Sequence, residues 1–331
     1  MISKSVFMKL ALRILIIATI FFLPVSVSTP FYENDAYAKR SSYKKKAKPK
    51  YHRKFSALVV NAKTGRILYE KNAGGTRYPA SLTKMMTLYL TFDALKKKKI
   101  TMSTKLKVSK KAAAQPQTNI SLKKGDTITV RDAIKSLIVR SANDSSVVLA
   151  EKLGGTTWKF SLMMTKKARA LGMKNTVYRN PNGLPNNQQI TTAYDMAKLG
   201  IALKRDFPEY YHLFKLTSFN YAGVHYRGHN DVVKKYKGAD GIKTGYINAS
   251  GFNLVSSARR GNHKIIGVIM GGRTAKSRDQ AMMKMLDKGF DKLQRQQAKR
   301  LSDKKSNKKK PSLRTANDNY PKKPVLSARA N

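Results

Sequence analysis

The chain has 331 residues, with 67 Lys+Arg against 18 Asp+Glu and a formal net charge of +49 at pH 7. That length can bury a sizeable core, and a hydrophobic share of 41% with 9% aromatics excludes a wholly disordered polycation. The absence of Cys excludes a disulfide framework, a Cys nucleophile and a thiolate metal site, while the charge alone leaves nucleic acid, an anionic membrane or an acidic wall polymer as partner classes.

Residues 1–38 hold Lys4, Lys9 and Arg13, then an apolar run from Ile14 to Leu23, then Ala36-Tyr37-Ala38. A cationic start, a short apolar stretch and a small-x-small exit form the pattern of a secretory signal peptide. The apolar run is shorter than the roughly 20 residues a spanning helix needs, so cleavage and export to the periplasm are expected rather than anchoring. Residues 39–54 (KRSSYKKKAKPKYHRK) carry +9 with no apolar periodicity and are expected to be a disordered basic linker; residues 299–331 carry another +9 and are expected to be a disordered basic tail. The remaining +30 lies in residues 55–298, the expected folded domain.

Within that domain, Phe55 to Tyr69 reads as a β-hairpin around a turn at Gly65. Ser81 to Leu95 is helix-permissive and mostly apolar, the pattern of a buried helix. Thr129 and Asp132 have capping-box spacing ahead of a helix over Ala133–Val139, a polar break holds Ser141, and helical character resumes from Val147 to Leu153. A helix over Phe160–Leu171 ends at Gly172, Asn180-Pro181-Asn182-Gly183 is a turn, and Thr191–Leu203 is a further helix. Trp158, just before Phe160, is expected to pack rather than to recognise a ligand. From Asp240 the pattern changes to three strands, Ile242–Ile247, Gly251–Arg259 and Lys264–Met270, joined by tight turns as an antiparallel meander. An amphipathic helix over Arg278–Leu293 follows, with Met282, Met285, Leu286, Phe290 and Leu293 as its core stripe. The class is therefore α+β: an antiparallel sheet built from both chain ends, flanked by helices, with an all-helical insertion.

Ser81-Leu82-Thr83-Lys84 sets a hydroxyl and an amine three residues apart on one helical face. Ser at a helix start sits in the positive end of the dipole, and a desolvated Lys near another cation can become the base that takes its proton. The same spacing recurs at Ser41, Ser42, Ser121, Ser302 and Ser306; Ser-x-Asn occurs at Ser141 and Ser218, and Lys-Thr-Gly at Lys63 and Lys243. Context separates them. Only Ser81 opens an apolar helix, only Ser141 lies in a break between helices, and only Lys243 begins a strand of the meander, whereas Lys63 lies in a hairpin turn.

Taken in order, Ser81/Lys84, Ser141/Asn143 and Lys243/Thr244/Gly245 match the three-motif set of penicillin-recognising serine enzymes. The surrounding blocks Tyr78-Pro79-Ala80-Ser81, Ser141-Ala142-Asn143-Asp144, Asn180-Pro181-Asn182-Gly183-Leu184, Thr192-Ala193-Tyr194-Asp195-Met196-Ala197 and Asp240-Gly241-Ile242-Lys243-Thr244-Gly245-Tyr246 resemble the D-alanyl-D-alanine carboxypeptidases, the low-molecular-mass penicillin-binding proteins, over roughly Phe55 to Leu293. The resemblance implies a β-lactamase/transpeptidase-like fold and an attack by Ser81 on the bond between the two terminal D-alanines of a peptidoglycan stem peptide. Lys84 would be the general base and Ser141 would relay a proton to the leaving amine. Asn143 would bind the substrate amide and orient Lys84. Lys243 and Thr244 would hold the terminal carboxylate, Gly245 would let the substrate backbone pass, and the N–H groups of Ser81 and Tyr246 would form the oxyanion hole. β-Lactams would acylate Ser81.

Arg278 is a further candidate for carboxylate recognition, with a solvated charge as the alternative. Asp144 reads as a helix cap more than as an orienting group. His52, His212, His225, His229 and His263 show no metal-ligand spacing, so neither a metal nor another cofactor is implied. Many members of the family carry a β-rich second domain and an amphipathic anchoring helix after the catalytic domain; neither is read after Leu293, which leaves the basic arms as candidate electrostatic tethers to anionic membrane or wall. The open alternatives are a β-lactamase or a D,D-endopeptidase of the same fold, an inactive wall-binding scaffold, and a nucleic-acid-binding protein. The last is disfavoured by the export signal and by the lack of a basic-aromatic recognition block.

Overall fold

The computed structural model describes residues 55–309; the expected signal peptide, the basic linker and the end of the basic tail lie outside the described residues. In chain order the strands are β1 (Ser56–Asn61), β2 (Ile67–Lys71), β3 (Lys105–Lys107), β4 (Thr127–Thr129), β5 (Ser218–Tyr221), β6 (Val224–Arg227), β7 (Ala239–Ile247), β8 (Gly251–Arg260) and β9 (His263–Gly272). The helices are α1 (Lys84–Lys96), α2 (Lys110–Ala113), α3 (Val130–Val139), α4 (Asn143–Gly154), α5 (Thr157–Ala170), α6 (Ala193–Asp206), α7 (Pro208–Tyr211), α8 (Asp231–Lys235) and α9 (Ala275–Lys309).

The main sheet has the order β2-β1-β9-β8-β7 with every pairing antiparallel, so the first two strands meet the last three across β1 and β9. This is the expected α+β arrangement. One face of the sheet packs on α9, where Met282, Leu286 and Phe290 are fully buried and Met285 and Leu293 nearly so. The other face joins the helical region, in which α1 is buried almost all round, as its apolar composition requires. Gly200 lets α6 close on that face: a Cβ there would stand 3.2 Å from Ile242 and 3.3 Å from Ile266.

Local signals set the helix ends. Thr129 Oγ1 accepts from Asp132 N at 3.1 Å at the start of α3, and Thr192 and Thr156 cap α6 and α5 in the same way. Two expectations need correction. Trp158 is 66% exposed, because the buried stripe of α5 runs through Phe160, Ser161, Met164 and Ala168 and position 158 lies roughly 100° around the helix from its centre. The last helix does not stop at Leu293, nor does a structureless tail begin at 299. It continues to Lys309, since residues 294–309 contain neither Gly nor Pro and are rich in Gln, Lys and Arg.

The α9 interface gives a stability test. Phe290→Ala should cost about 3–5 kcal/mol in denaturant unfolding because it removes a fully buried ring from the sheet. Trp158→Ala should stay within about 0.5 kcal/mol of the parent.

Candidate active site

Ser81 sits on a 3-10 turn, Ala80–Thr83, that runs directly into α1. Three neighbours fix this turn. Gly245 of β7 comes so close that a Cβ there would meet Ser81 N at 3.0 Å and Leu82 N at 3.1 Å, so the absent side chain serves first to seat the Ser81 turn. Gly183, with φ +89°, presses on the other side, where a Cβ would stand 1.9 Å from Ala80 O. Asn253 of β8 donates from Nδ2 to Tyr78 O and Pro79 O at 3.0 and 3.2 Å and accepts from Gly271 N at 2.9 Å.

Lys84 lies one turn on and is wholly buried. Its Nζ is 3.1 Å from Ser81 Oγ, 2.8 Å from Asn143 Oδ1 and 2.6 Å from Asn182 O. Burial pushes its pKa well below the usual lysine value, the Lys243 cation pushes it further, and Asp144 opposes both. The Asn143 amide has a defined orientation, since its Nδ2 donates to Pro116 O at 2.9 Å.

The break between α3 and α4 places Ser141 at φ +63°, with its carbonyl accepting from Thr118 Oγ1 at 2.8 Å and its Oγ buried without a protein partner. Asp144 is not the cap expected of it: the N-cap of α4 is Ala142, and Asp144 stands inside the first turn. Buried, it accepts from Ile120 N at 3.0 Å, Leu122 N at 3.2 Å and Ser145 N at 2.8 Å, and so pins the 116–122 loop against the Ser141 break. Opposite, Lys243 Nζ donates to Thr244 O at 2.9 Å, and its ammonium is pushed down to about 7 by burial, with Arg278 adding to the effect. Arg278, in the first turn of α9, is 4% exposed and not a solvated charge; it donates to Asp279 Oδ1 at 2.8 and 2.9 Å and to Asn253 O at 3.2 Å.

These elements surround a cavity of about 450 Å³ walled by Ser81, Ser141, Asn143, Thr244, Gly245, Tyr246 and Arg278, with Lys84 and Lys243 buried behind them. The nine residues singled out in the sequence thus come together in one place. Of the decoys, Ser218-Phe219-Asn220 lies in β5 and Lys63-Thr64-Gly65 in the β1–β2 turn, away from this cavity. Sequence reasoning missed Asn182, whose carbonyl holds Lys84, and Asn253, whose side chain ties β8 to the Ser81 turn. It also missed Gln117, Thr118 and His229 in the cavity wall. His229 is held below the usual histidine value by burial and by the neighbouring cations, Lys243 first. Among the described residues no His, Asp and Glu group is arranged to hold a metal ion, and no helix is long and apolar enough to cross a membrane.

The family model of D-alanyl-D-alanine carboxypeptidases matches residues 43–274. The chain is 36% identical over 263 residues to D-alanyl-D-alanine carboxypeptidase DacF of Bacillus subtilis, covering 77% of this chain and 66% of that relative. It therefore spans just under two thirds of the length of that curated relative. Among solved structures, penicillin-binding protein 5 of Haemophilus influenzae superposes with a TM-score of 0.69 at 34% identity, covering 71% of this chain and 70% of that one. Penicillin-binding protein D2 of Listeria monocytogenes, solved with cefotaxime bound, superposes with a TM-score of 0.66 at 27% identity, covering 73% and 100%. By its sequence blocks, its fold and the span of the family match, the chain belongs to the D-alanyl-D-alanine carboxypeptidase family of serine peptidases.

Proposed function

We propose that the protein is an exported, periplasmic serine-type carboxypeptidase that removes the terminal D-alanine from peptidoglycan stem peptides ending in D-Ala-D-Ala. The observation that carries this reading is the set of acceptors around Lys84. A neutral amine has two N–H bonds and one lone pair. Asn143 Oδ1 and the Asn182 carbonyl can only accept, so they take the two N–H bonds and leave the lone pair for the Ser81 hydroxyl at 3.1 Å. Burial and the Lys243 cation favour that neutral form.

In this mechanism Lys84 takes the Ser81 proton as Oγ attacks the carbonyl between the two D-alanines. The oxyanion is held by the N–H groups of Ser81 and Tyr246, a pairing supported by the close approach of β7 to the Ser81 turn. When the C–N bond breaks, the proton passes through Ser141 Oγ to the departing amine; the lack of a protein partner for that hydroxyl supports the relay. D-Alanine leaves, the acyl ester on Ser81 remains, and water hydrolyses it to the shortened peptide and free Ser81. Lys243, Thr244 and Arg278 hold the terminal carboxylate at the β7 side of the cavity, and Asn143 borders the path of the substrate amide. A β-lactam would form the same ester on Ser81. The basic arms, residues 39–54 and the tail, would tether the enzyme electrostatically to anionic membrane or wall.

Labelled penicillin should bind covalently to the wild type and not to Ser81→Ala; labelling of the variant at equal level would overturn the assignment. Lys84→Ala should slow acylation by about 10²- to 10⁴-fold, the usual worth of a general base. D-Alanine release from a pentapeptide, followed by amino-acid analysis, tests the substrate class, and cleavage of crosslinked dimers alone would point to an endopeptidase. The pH profile has a defined shape. Acylation requires neutral Lys84, so kcat/KM falls as pH drops through its lowered pKa; carboxylate capture requires charged Lys243, so kcat/KM also falls as pH rises through about 7. A bound carboxylate raises the Lys243 pKa, so the alkaline fall should be weaker in kcat, and Lys243→Ala should lower kcat/KM while abolishing that fall.

A further inference from the structure

The Lys63-Thr64-Gly65 turn, which takes no part in the cavity around Ser81, stands at the other end of the sheet. β8 runs from Gly251, near that cavity, to Arg260, about 30 Å away at the usual rise per residue. A second cavity of about 620 Å³ opens there between the β1–β2 turn, the β8–β9 turn and the end of α6. Its walls carry Lys63, Lys204, Arg205, Arg259, His263 and Lys264 and no carboxylate.

The acids around it are already engaged. Asp206 takes Arg205 at 2.6 and 2.9 Å and also Tyr89 at 2.8 Å, and Asp240 accepts from both Lys204 and Ser257. Among the described residues no carboxylate pairs with Lys63, Arg259 or Lys264. The cations are mounted on firm backbone. Ala62 N donates to Lys264 O at 2.8 Å, Asn61 Oδ1 accepts from Lys63 N at 2.8 Å, and Arg259 donates from N to Gly238 O and from Nε to Gly261 O, both at 2.9 Å. Lys204 is 16% exposed and lies 4.3 Å from the Tyr211 ring centre. Its pKa is lowered by burial, with Lys264 and Lys215 adding to the effect against Asp240, as expected where positive charge is in excess.

We propose that this groove is a binding site for a phosphate-bearing ligand. A lone carboxylate would match one of its cations and leave the others facing one another. A phosphate monoester carries about −1.5 to −2 charge and three acceptor oxygens, enough to be shared between the planar Arg259 fork and the point charges of Lys63 and Lys264. The phosphate can be that of a phosphomonoester lipid headgroup, as in phosphatidic acid, or of a soluble ester. The site is independent of the chemistry at Ser81.

The test uses the full-length protein in 0.15 M salt, titrated with inorganic pyrophosphate and, separately, with phosphatidylcholine vesicles containing phosphatidic acid. R259A/K264A should weaken pyrophosphate binding about tenfold or more, the loss expected for two charge-assisted contacts. Lys63→Gln, in an exposed turn where folding is not at stake, should weaken it about threefold or more on the same scale. K105E/K107E, a larger change in net charge made on the exposed side of β3, should alter it less than about twofold, and penicillin acylation should be unchanged in all three. Equal loss in the β3 control, or no loss in the groove variants, overturns the proposal. Groove-dependent vesicle binding identifies the source as a headgroup, and groove-dependent pyrophosphate binding without it identifies a soluble phosphate; both support the site, and the absence of both overturns it.

Discussion

A lysine amine with no exposed surface is the constraint around which this molecule is arranged. A charged ammonium held in a dry interior is costly, and an amine without hydrogen-bond partners is costly too, so burial of Lys84 favours the neutral form and requires a full set of partners. The acceptors come from segments far apart in sequence. Ser81 is three residues away, Asn143 fifty-nine and Asn182 ninety-eight. Each is held by its own ties: Asn143 to Pro116, Asn182 through Leu184 N and Gln115, and Ser81 through the two glycines and Asn253 that clamp its turn. Satisfying one amine thus brings three loops to one point, and the wall of the cavity follows.

Much of this was legible in the sequence because its causes are local. The period of Met282, Leu286 and Phe290 reports a face that must be buried, Thr129 and Asp132 report a cap, and the tight turns of residues 240–272 leave an antiparallel meander as the compact solution. The motif residues were legible for another reason: reactive side chains at fixed spacing, in fixed order, survive the noise of a Lys-rich chain once their neighbours are read with them. The contribution of Asn182 was not legible, since it is a backbone carbonyl and any residue type has one. Its neighbour Gly183 read only as a turn former, although its larger role is to admit Ala80 O at a distance no side chain would permit. The helix through residues 299–309 was misread because a lack of apolar periodicity and the Pro and Ser of the tail were taken for disorder, while backbone propensity favours a helix there.

The distribution of charge separates two ends of the sheet that the single figure of +49 conflates. At the β1–β2 and β8–β9 turns the cations face an open groove. Around Ser81 they are buried, and burial lowers the pKa of both Lys243 and Lys84; the Arg278 charge adds to the lowering at Lys243, and Lys243 adds to the lowering at Lys84.

That chain of repulsions has a consequence for the order of events on the proposed reaction path. A terminal carboxylate arriving between Arg278 and Thr244 would favour the charged form of Lys243, buried behind the cavity wall, and so hold Lys243 protonated at a pH where the empty site would begin to lose that proton. A firmly charged Lys243 in turn disfavours a second cation at Lys84, which keeps its lone pair for Ser81. The carboxylate itself draws a proton toward Lys84 and so opposes that effect, while the two acceptors fixed on the Lys84 N–H bonds are equally satisfied by the neutral amine. In the proposed mechanism substrate recognition and activation of the nucleophile would be linked through one buried side chain: Lys243, proposed to read the free carboxylate, also pushes the pKa of Lys84 down.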